Sequence, residues 1–362
     1  MAAFLGCIAG VIVAGCQRET PGTSAERIDL VGTGATFPAP LYERWIDRYR
    51  DPRVGKIEYR PTGSSAGIEA IAAHDVDFAG TDAPMTDDQL SQAGDVLHIP
   101  MTMAPVAVAY NLTGASDELK LTPDVLAGIF LGEITDWNDP RIAQLNATET
   151  LPSTPIHIVH RSDGSGTTKV FTTYLSGVSE KWKQRVGSRT SVDWPVGVGA
   201  EGNPGVARVL HRTEGGIGYV VAAFARANEL KVAKLSNKAG RFIPPTLDAV
   251  TAAAVSEAGK IPEDLRFFMV DAEGANSYPI TAFSYILVRR EVDDRARGAA
   301  LVRFLWWAIH DGQTYAPFLG YATLPPEVVG KAEAKVRTIE FAGKPLMPDA
   351  RGPAQATSQD AS

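Results

Sequence analysis

The stretch IHIVHRSDGSGTTKVFTTYL, residues 156–175, contains a complete strand–loop–helix unit. Alternating apolar residues at 156–160 predict a strand, and the pattern after the loop predicts a helix through Leu175. The loop between them, residues 161–167, is rich in glycine and hydroxyl side chains. Free backbone N–H groups at the start of a helix favour a bound oxyanion. Taken alone, the loop is also compatible with an ordinary capped turn.

Two further segments have the same order of strand, small-residue loop and helix. Their loops are GTGATFP at residues 32–38 and TGSSAG at residues 62–67. Elsewhere the chain alternates short apolar runs with helical patterns. The predicted strands include 28–32, 56–60, 76–80, 106–110, 217–221 and 280–288, and the predicted helices include 38–50, 65–73, 293–310 and 325–338. This alternation predicts α/β architecture.

Composition excludes several classes of function. The chain has 362 residues and a net charge of -7, which argues against a nucleic-acid-binding surface. Its only cysteines are Cys7 and Cys16, so the body offers no thiolate for catalysis or metal binding. The six histidines are scattered, and no metal site is predicted.

Hydroxyl and charged side chains supplement the backbone donors of the three loops. The hydroxyls that could donate to an anion are those of Thr36, Ser64, Ser165 and Thr167. Arg161 precedes the third loop, and its guanidinium suits bidentate contact with an oxyanion. Asp163, two residues on, could orient Arg161. The alternative for this pair is an exposed ion pair of little consequence.

Asp82, in the segment GTDAP at residues 80–84, introduces a carboxylate among these donors. An ionised carboxylate repels a fully ionised ligand but accepts a hydrogen bond from a ligand that keeps a proton. Hydrogen phosphate keeps one at neutral pH and sulfate does not, so Asp82 would discriminate by repulsion. Helix capping is the alternative role of this aspartate.

Catalytic patterns are not matched by the loop after the strand at 156–160. Asp163-Gly164-Ser165-Gly166 lacks the Gly-x-Ser-x-Gly arrangement of a nucleophile elbow. Lys169 follows Thr168, so the glycine–lysine pair of a P-loop is missing. The sequence therefore predicts a binding protein and not an enzyme.

The two ends of the chain differ from the body. Residues 1–16 are apolar and uncharged, too short for a comfortable membrane span and typical of an export signal. Val13-Ala14-Gly15-Cys16 resembles a bacterial lipobox, which predicts a lipoprotein signal peptide and a lipid anchor at Cys16. No basic residue precedes the apolar run, which departs from that pattern. Residues 17–27 are predicted to be a flexible linker and 351–362 a disordered tail.

Between residues 28 and 346 the chain resembles the phosphate-binding protein of the bacterial high-affinity phosphate ABC transporter. The segments that carry the resemblance are GATFPAP at 34–40, GSS at 63–65, DF at 77–78, DAP at 82–84, Arg161 with DGSGT at 163–167, WPVG at 194–197, GN at 202–203, GIGYV at 216–220 and YATLP at 321–325. Ala66 departs from it, because a glycine is common there.

The resemblance implies a fold, a domain division and a role for each site residue. The fold is the two-lobed periplasmic binding protein fold (type II-like), with the ligand in a hinged cleft between domain I, 28–109 plus 280–350, and domain II, 110–279. Thr36, Phe37 and Ser64 would donate from one lobe, where Asp82 would accept the phosphate proton. Arg161, held by Asp163, would pair with the anion, and Ser165, Gly166 and Thr167 would donate from the other lobe.

These features lead to a functional hypothesis with open alternatives. A monomeric protein, periplasmic or at the cell surface, is expected to bind inorganic phosphate without a cofactor and deliver it to an ABC permease. The alternatives are a phosphoester-processing enzyme, and a sensor or scavenger of another protonated oxyanion such as arsenate.

Overall fold

A computed structural model describes residues 27–347 and has the strand–helix alternation that the sequence predicts. The strands are β1 (Ile28–Gly34), β2 (Val54–Arg60), β3 (Phe78–Thr81), β4 (Val96–Asn111), β5 (Lys120–Leu121), β6 (His157–Arg161), β7 (Val198–Ala200), β8 (Gly216–Val221), β9 (Lys231–Val232), β10 (Lys234–Ser236), β11 (Phe242–Ile243), β12 (Thr281–Arg289), β13 (Glu340–Phe341) and β14 (Lys344–Pro345). The helices are α1 (Ala39–Arg48), α2 (Ser64–Ala72), α3 (Asp87–Ala93), α4 (Pro123–Phe130), α5 (Pro140–Ala143), α6 (Gly166–Val178), α7 (Glu180–Arg185), α8 (Gly202–Arg212), α9 (Ala222–Ala227), α10 (Leu247–Glu257), α11 (Arg295–Ile309) and α12 (Pro326–Arg337). The prediction of α/β architecture is confirmed.

The principal sheet contains two groups of parallel strands. Its order is β2-β1-β3-β12-β4-β8-β6-β7, with β9 also paired to β4. Strand β1 is parallel to β2 and β3, and β6 is parallel to β7 and β8. The antiparallel strands β4 and β12 lie between the groups. Ligands of open α/β sheets bind beyond the carboxyl ends of such strands, so each group can present loops to a ligand there.

Strand β4 joins the two groups. Its residues 96–105 pair with β12, and its residues 106–111 pair with β8. The sequence pattern predicts only 106–110, and the first half of the strand contains Pro100 and Pro105, which lack a backbone N–H. Opposite Pro100, the register of β12 shifts between Ser284 and Tyr285. This irregularity accommodates a residue that cannot donate to the ladder.

Helix positions follow the predicted patterns to within a few residues. Helix α1 buries Leu41, Tyr42 and Trp45, and the Trp45 indole donates a 2.6 Å hydrogen bond to the carbonyl of Gly312. Helix α3 begins with the capping box of Thr86 and Gln89. Helix α1 directly follows the loop after β1, and its apolar stripe therefore fixes the position of the helix at the end of that loop.

Within residues 27–347, no helix is long and apolar enough to cross a membrane. The predicted signal peptide with Cys16, the linker up to residue 26 and the tail at 351–362 lie outside the described residues. The predicted boundaries of domain I, residues 28–109 plus 280–350, and domain II, residues 110–279, stay predictions.

Candidate functional site

The three glycine- and hydroxyl-rich loops meet beyond the ends of β1, β2 and β6. The Gly63 N–H donates to the Gly34 carbonyl at 2.8 Å, which joins the loops after β1 and β2. The Ser65 N–H donates to the Gly164 carbonyl at 3.0 Å, which adds the loop after β6. The cluster that forms here contains all the predicted binding residues, namely Thr36, Phe37, Ser64, Asp82, Arg161, Asp163, Ser165, Gly166 and Thr167.

Gly166 permits a close approach between α6 and the opposite loops. A Cβ atom at Gly166 would lie 2.5 Å from Ser64 Oγ and 2.8 Å from the backbone nitrogen of Asp82. Real Cβ atoms do not come this close to other heavy atoms. The first turn of α6 therefore lies directly against the residues that follow β2 and β3, which only glycine allows.

The start of α6 supplies donors from its backbone. Ser165 caps the helix, because its Oγ accepts a 3.0 Å hydrogen bond from the Thr168 N–H. The first N–H groups of any helix have no partner within the helix, and here they belong to Gly166 and Thr167. Ser165 and Thr167 are fully buried. The helix dipole adds partial positive charge at the same point, so this end of α6 favours an anion.

Arg161 is buried and is held by Asp163. Its Nε donates to Asp163 Oδ1 at 2.7 Å, and its Nη2 donates to Asp163 Oδ2. The backbone N–H of Gly202 also donates to Asp163 Oδ1, at 3.0 Å. Burial raises the pKa of Asp163, but the bonds and charge of Arg161 outweigh it and lower the pKa below its ordinary value. Asp163 therefore stays ionised, and Nη1 of Arg161 lies 3.5 Å from Thr167 Oγ1.

The loop after β1 is fixed by two tyrosines. The Tyr59 hydroxyl donates to the Ala35 carbonyl at 2.8 Å, and the Tyr321 hydroxyl donates to the Phe37 carbonyl at 2.7 Å. The Phe37 side chain is fully buried beside Tyr321, so Phe37 can offer a ligand only its backbone. A cavity of about 570 Å³ beside the cluster has Thr36 and Asp163 in its lining.

Asp82 is buried and faces hydroxyl groups from two directions. Ser284 Oγ donates to Asp82 Oδ1 at 3.0 Å, and Thr167 Oγ1 donates to Asp82 Oδ2 at 3.3 Å. Burial raises the pKa of Asp82 to about 7. The hydrogen bonds from Ser284 and Thr167 and the charge of Arg161 oppose this rise. The carboxyl therefore exchanges a proton close to neutral pH, unlike an ordinary aspartate.

The raised pKa of Asp82 predicts that the stability of the Asp82→Asn variant, relative to that of the wild-type protein, increases as pH rises. The folded protein holds the Asp82 proton more tightly than the unfolded chain does, so the wild-type free energy of unfolding falls between pH 3.8 and about 7. Asparagine removes that loss. We expect the advantage of the variant in ligand-free protein to be ~2 kcal/mol larger at pH 8 than at pH 5. Urea unfolding at the two pH values measures the difference.

Asp51→Asn provides the matched control for this measurement. Burial raises the pKa of Asp51, but hydrogen bonds from Arg53 and Arg303 outweigh burial and bring the pKa below its ordinary value. Asp51 is therefore ionised at both pH values, and its replacement should cost the same stability at each. A pH-independent difference between Asp82→Asn and wild type would contradict the raised pKa.

Two residues of the cluster received no role from the sequence. Ser284 is a small polar residue in the largely apolar strand β12, and it reaches Asp82 across the sheet. Asn203 is fully buried near the start of α8 and donates to Thr36 Oγ1 and Thr167 Oγ1. The available signals were a polar residue inside an apolar run and an asparagine at a helix start. Both signals are common in residues without function.

The donor set favours an oxyanion that carries a proton. Backbone N–H groups, hydroxyls and Arg161 supply donors, and Asp82 supplies an acceptor. Within residues 27–347, no group of three or more His, Cys, Asp or Glu side chains could hold a metal ion.

Comparisons with known proteins agree with this geometry. The family model of the PBP superfamily domain matches residues 19–310. The phosphate-binding protein PstS of Xylella fastidiosa (strain 9a5c) is 40% identical over 320 residues, covering 87% of this chain and 88% of that protein. The chain belongs to the phosphate-binding protein family. A relative in the family, PstS of Methanocaldococcus jannaschii, is 38% identical over 351 residues, which covers 89% of this chain and 88% of that protein.

Solved structures of phosphate-binding proteins share the fold. A high-affinity periplasmic phosphate-binding protein bound with phosphate gives a TM-score of 0.67 at 20% identity, covering 85% of this chain and 93% of that one. A second structure is that of a protein from Clostridium perfringens, described as a putative phosphate ABC transporter substrate-binding protein with bound phosphate. It gives a TM-score of 0.60 at 16% identity, covering 82% of this chain and 100% of that one. The predicted family and the predicted two-lobed fold are confirmed.

Proposed function

We propose that this protein binds inorganic phosphate outside the cytoplasmic membrane and delivers it to an ABC permease. The observation that carries the proposal is the position of Asp82, a buried carboxyl with a pKa of about 7 in contact with the donors of α6. A hydrogen phosphate ion matches this set, because three of its oxygens accept hydrogen bonds and the fourth carries a proton to donate. Relatives named as phosphate-binding proteins support the same ligand.

The proposed binding set contains the nine residues that the sequence predicts. Thr36, Phe37 and Ser64 donate from domain I, residues 28–109 plus 280–350, where Asp82 accepts the proton. Arg161, oriented by Asp163, acts from domain II, residues 110–279, together with Ser165, Gly166 and Thr167. Contacts such as the one between Thr167 and Asp82 support closure of the two domains around the anion.

The delivery role extends the proposal to the ends of the chain. Cys16 would be the lipid anchor, and the linker at 17–27 would let the monomer reach the permease. No catalytic step is proposed. Mass spectrometry of the mature protein tests the anchor, and an unmodified Cys16 would exclude it.

The function is tested by calorimetry of the purified protein with phosphate, arsenate and sulfate. We expect phosphate to bind in a 1:1 ratio, arsenate to bind as well because it also keeps a proton, and sulfate to bind far more weakly above pH 7. Turnover of a phosphoester, or sulfate binding as tight as phosphate binding at pH 8.5, would contradict the proposal. Tighter arsenate than phosphate binding would favour a sensor or scavenger of arsenate.

A further inference from the structure

Asn203 lies between a hydroxyl of the loop after β1 and a hydroxyl of α6. Its side-chain Nδ2 donates to Thr36 Oγ1 at 3.0 Å and to Thr167 Oγ1 at 3.2 Å. Its backbone N–H also donates to Thr36 Oγ1, at 3.1 Å. The side chain is fully buried, so no solvent competes for these bonds. One amide group thus contacts two hydroxyls that are 131 positions apart in the chain.

The orientation of the Asn203 amide is fixed by β8. The backbone N–H of Val221 donates to Asn203 Oδ1 at 3.0 Å. A backbone N–H can only donate, so the atom facing Val221 must be the amide oxygen and the NH₂ group must face Thr36 and Thr167. The two NH₂ hydrogens each have one acceptor, and the amide has no freedom to turn over.

This arrangement determines the direction of the Thr36 hydroxyl proton. A hydroxyl has two lone pairs and one hydrogen. Both lone pairs of Thr36 Oγ1 receive hydrogen bonds from Asn203, one from the backbone and one from the side chain. The remaining hydrogen can only be donated, and it points away from Asn203.

Thr167 is constrained in the same way. Its Oγ1 accepts from Asn203 Nδ2 at 3.2 Å and lies 3.5 Å from Arg161 Nη1, and it donates to Asp82 Oδ2 at 3.3 Å. Its two acceptor positions therefore face the Asn203 amide and the Arg161 guanidinium, and its hydrogen is donated to Asp82.

We propose that Asn203 is a positioning residue that makes Thr36 and Thr167 obligate donors and thereby fixes which ligand oxygen carries the proton. Because both acceptor positions of Thr36 and of Thr167 are occupied, neither hydroxyl can accept a hydrogen bond from a protonated ligand oxygen, whereas Asp82 can. The ligand proton is therefore confined to the oxygen that faces Asp82. This inference rests on the proposed phosphate binding, and it adds Asn203 to the determinants of the protonated anion.

A double-mutant cycle tests the role of Asn203. We expect Asn203→Ala to weaken phosphate binding about tenfold, roughly the worth of one well-directed hydrogen bond to a charged group. In a Thr36→Val/Thr167→Val background, the same substitution should change the Kd by less than about threefold, because the hydroxyls through which it acts are gone. Equal effects in both backgrounds would overturn the proposal, since a purely structural residue gives additive losses.

Asn203→Asp is the second variant, because it keeps the shape and the oxygen that accepts from Val221. Its carboxylate would accept hydrogen bonds from the hydroxyls of Thr36 and Thr167, turning the Thr36 hydrogen away from the ligand and the Thr167 hydrogen away from Asp82. We expect phosphate binding to weaken about 100-fold, since lost donors and added negative charge act together. Phosphate binding as tight as in wild type would overturn the proposal even if Asn203→Ala does not fold.

Asn237→Ala is the matched control. Asn237 is also buried, and its amide donates to the carbonyls of Gly274, Ala275 and Ser277, outside the cluster. Its replacement should lower the melting temperature and leave the Kd for phosphate unchanged. The wild-type titration separates the proposed function from the proposed role of Asn203. If the wild-type protein does not bind phosphate, the proposed function is refuted. If it binds phosphate but the mutant cycle is additive, only the role of Asn203 is refuted.

Discussion

Asp82→Asn is expected to bind sulfate roughly 30-fold more tightly than the wild-type protein at pH 8.5. At this pH the Asp82 carboxyl, with a pKa of about 7, is almost fully ionised and repels an anion that has no proton to share. Sulfate can bind the wild-type protein well only after Asp82 takes up a proton. The amide of asparagine needs no proton to donate, so the barrier disappears.

The pH dependence makes this prediction specific. At pH 5.5 the wild-type Asp82 is itself protonated and can donate to sulfate, so the variant and the wild type should differ little. Phosphate binding should change less than sulfate binding, because the amide oxygen of asparagine can accept the phosphate proton. Calorimetry at pH 5.5 and pH 8.5 measures both anions.

Asp51→Asn is again the matched control, because the Asp51 side chain is also largely covered but pairs with Arg53 and Arg303 away from the cluster. It should leave the ratio of phosphate to sulfate affinity unchanged at both pH values. If Asp82→Asn binds sulfate no better than wild type at pH 8.5, repulsion by Asp82 does not reject sulfate.

Arg161→Met should weaken phosphate binding about 100-fold, the combined worth of a charge-assisted hydrogen bond and of the neighbouring charge left without a partner. The substitution keeps an unbranched side chain of similar length but removes the guanidinium. Asp163 then loses its cation and keeps the hydrogen bond from the Gly202 N–H, and its negative charge faces the anion. Titration of phosphate at fixed ionic strength measures the loss.

The chain offers a matched control in Arg141→Met. Arg141 binds Asp139 through the same pair of contacts, Nε to Oδ1 at 2.9 Å and Nη2 to Oδ2 at 2.8 Å, but at the protein surface. Surface ion pairs contribute little, so this variant should bind phosphate as wild type does. An unchanged Kd for Arg161→Met would remove Arg161 from the binding set.

Much of the fold could be predicted because its signals are local. The capping box at Thr86 and the buried stripe of α1 depend on residues within one or two helical turns, so their signals lie within short stretches of sequence. The sequence pattern predicts only the second half of β4, and the first half contains two prolines, which argue locally against a strand. Hydrogen bonding to β12 and burial of the strand by neighbouring elements outweigh the local effect of the prolines.

The sequence by itself determined that three loops of the same kind each begin a helix and that Arg161, Asp163 and the hydroxyls lie on or beside them. A helix start and its donors follow from a few adjacent residues, so a single stretch such as 161–167 suffices to predict them. Only the tertiary structure determines which side chains these donors contact. The raised pKa of Asp82 and the bridge made by Asn203 exist only because folding buries side chains far apart in the chain against one another. Burial and close contact between such residues depend on every element that packs around them, which no local pattern encodes.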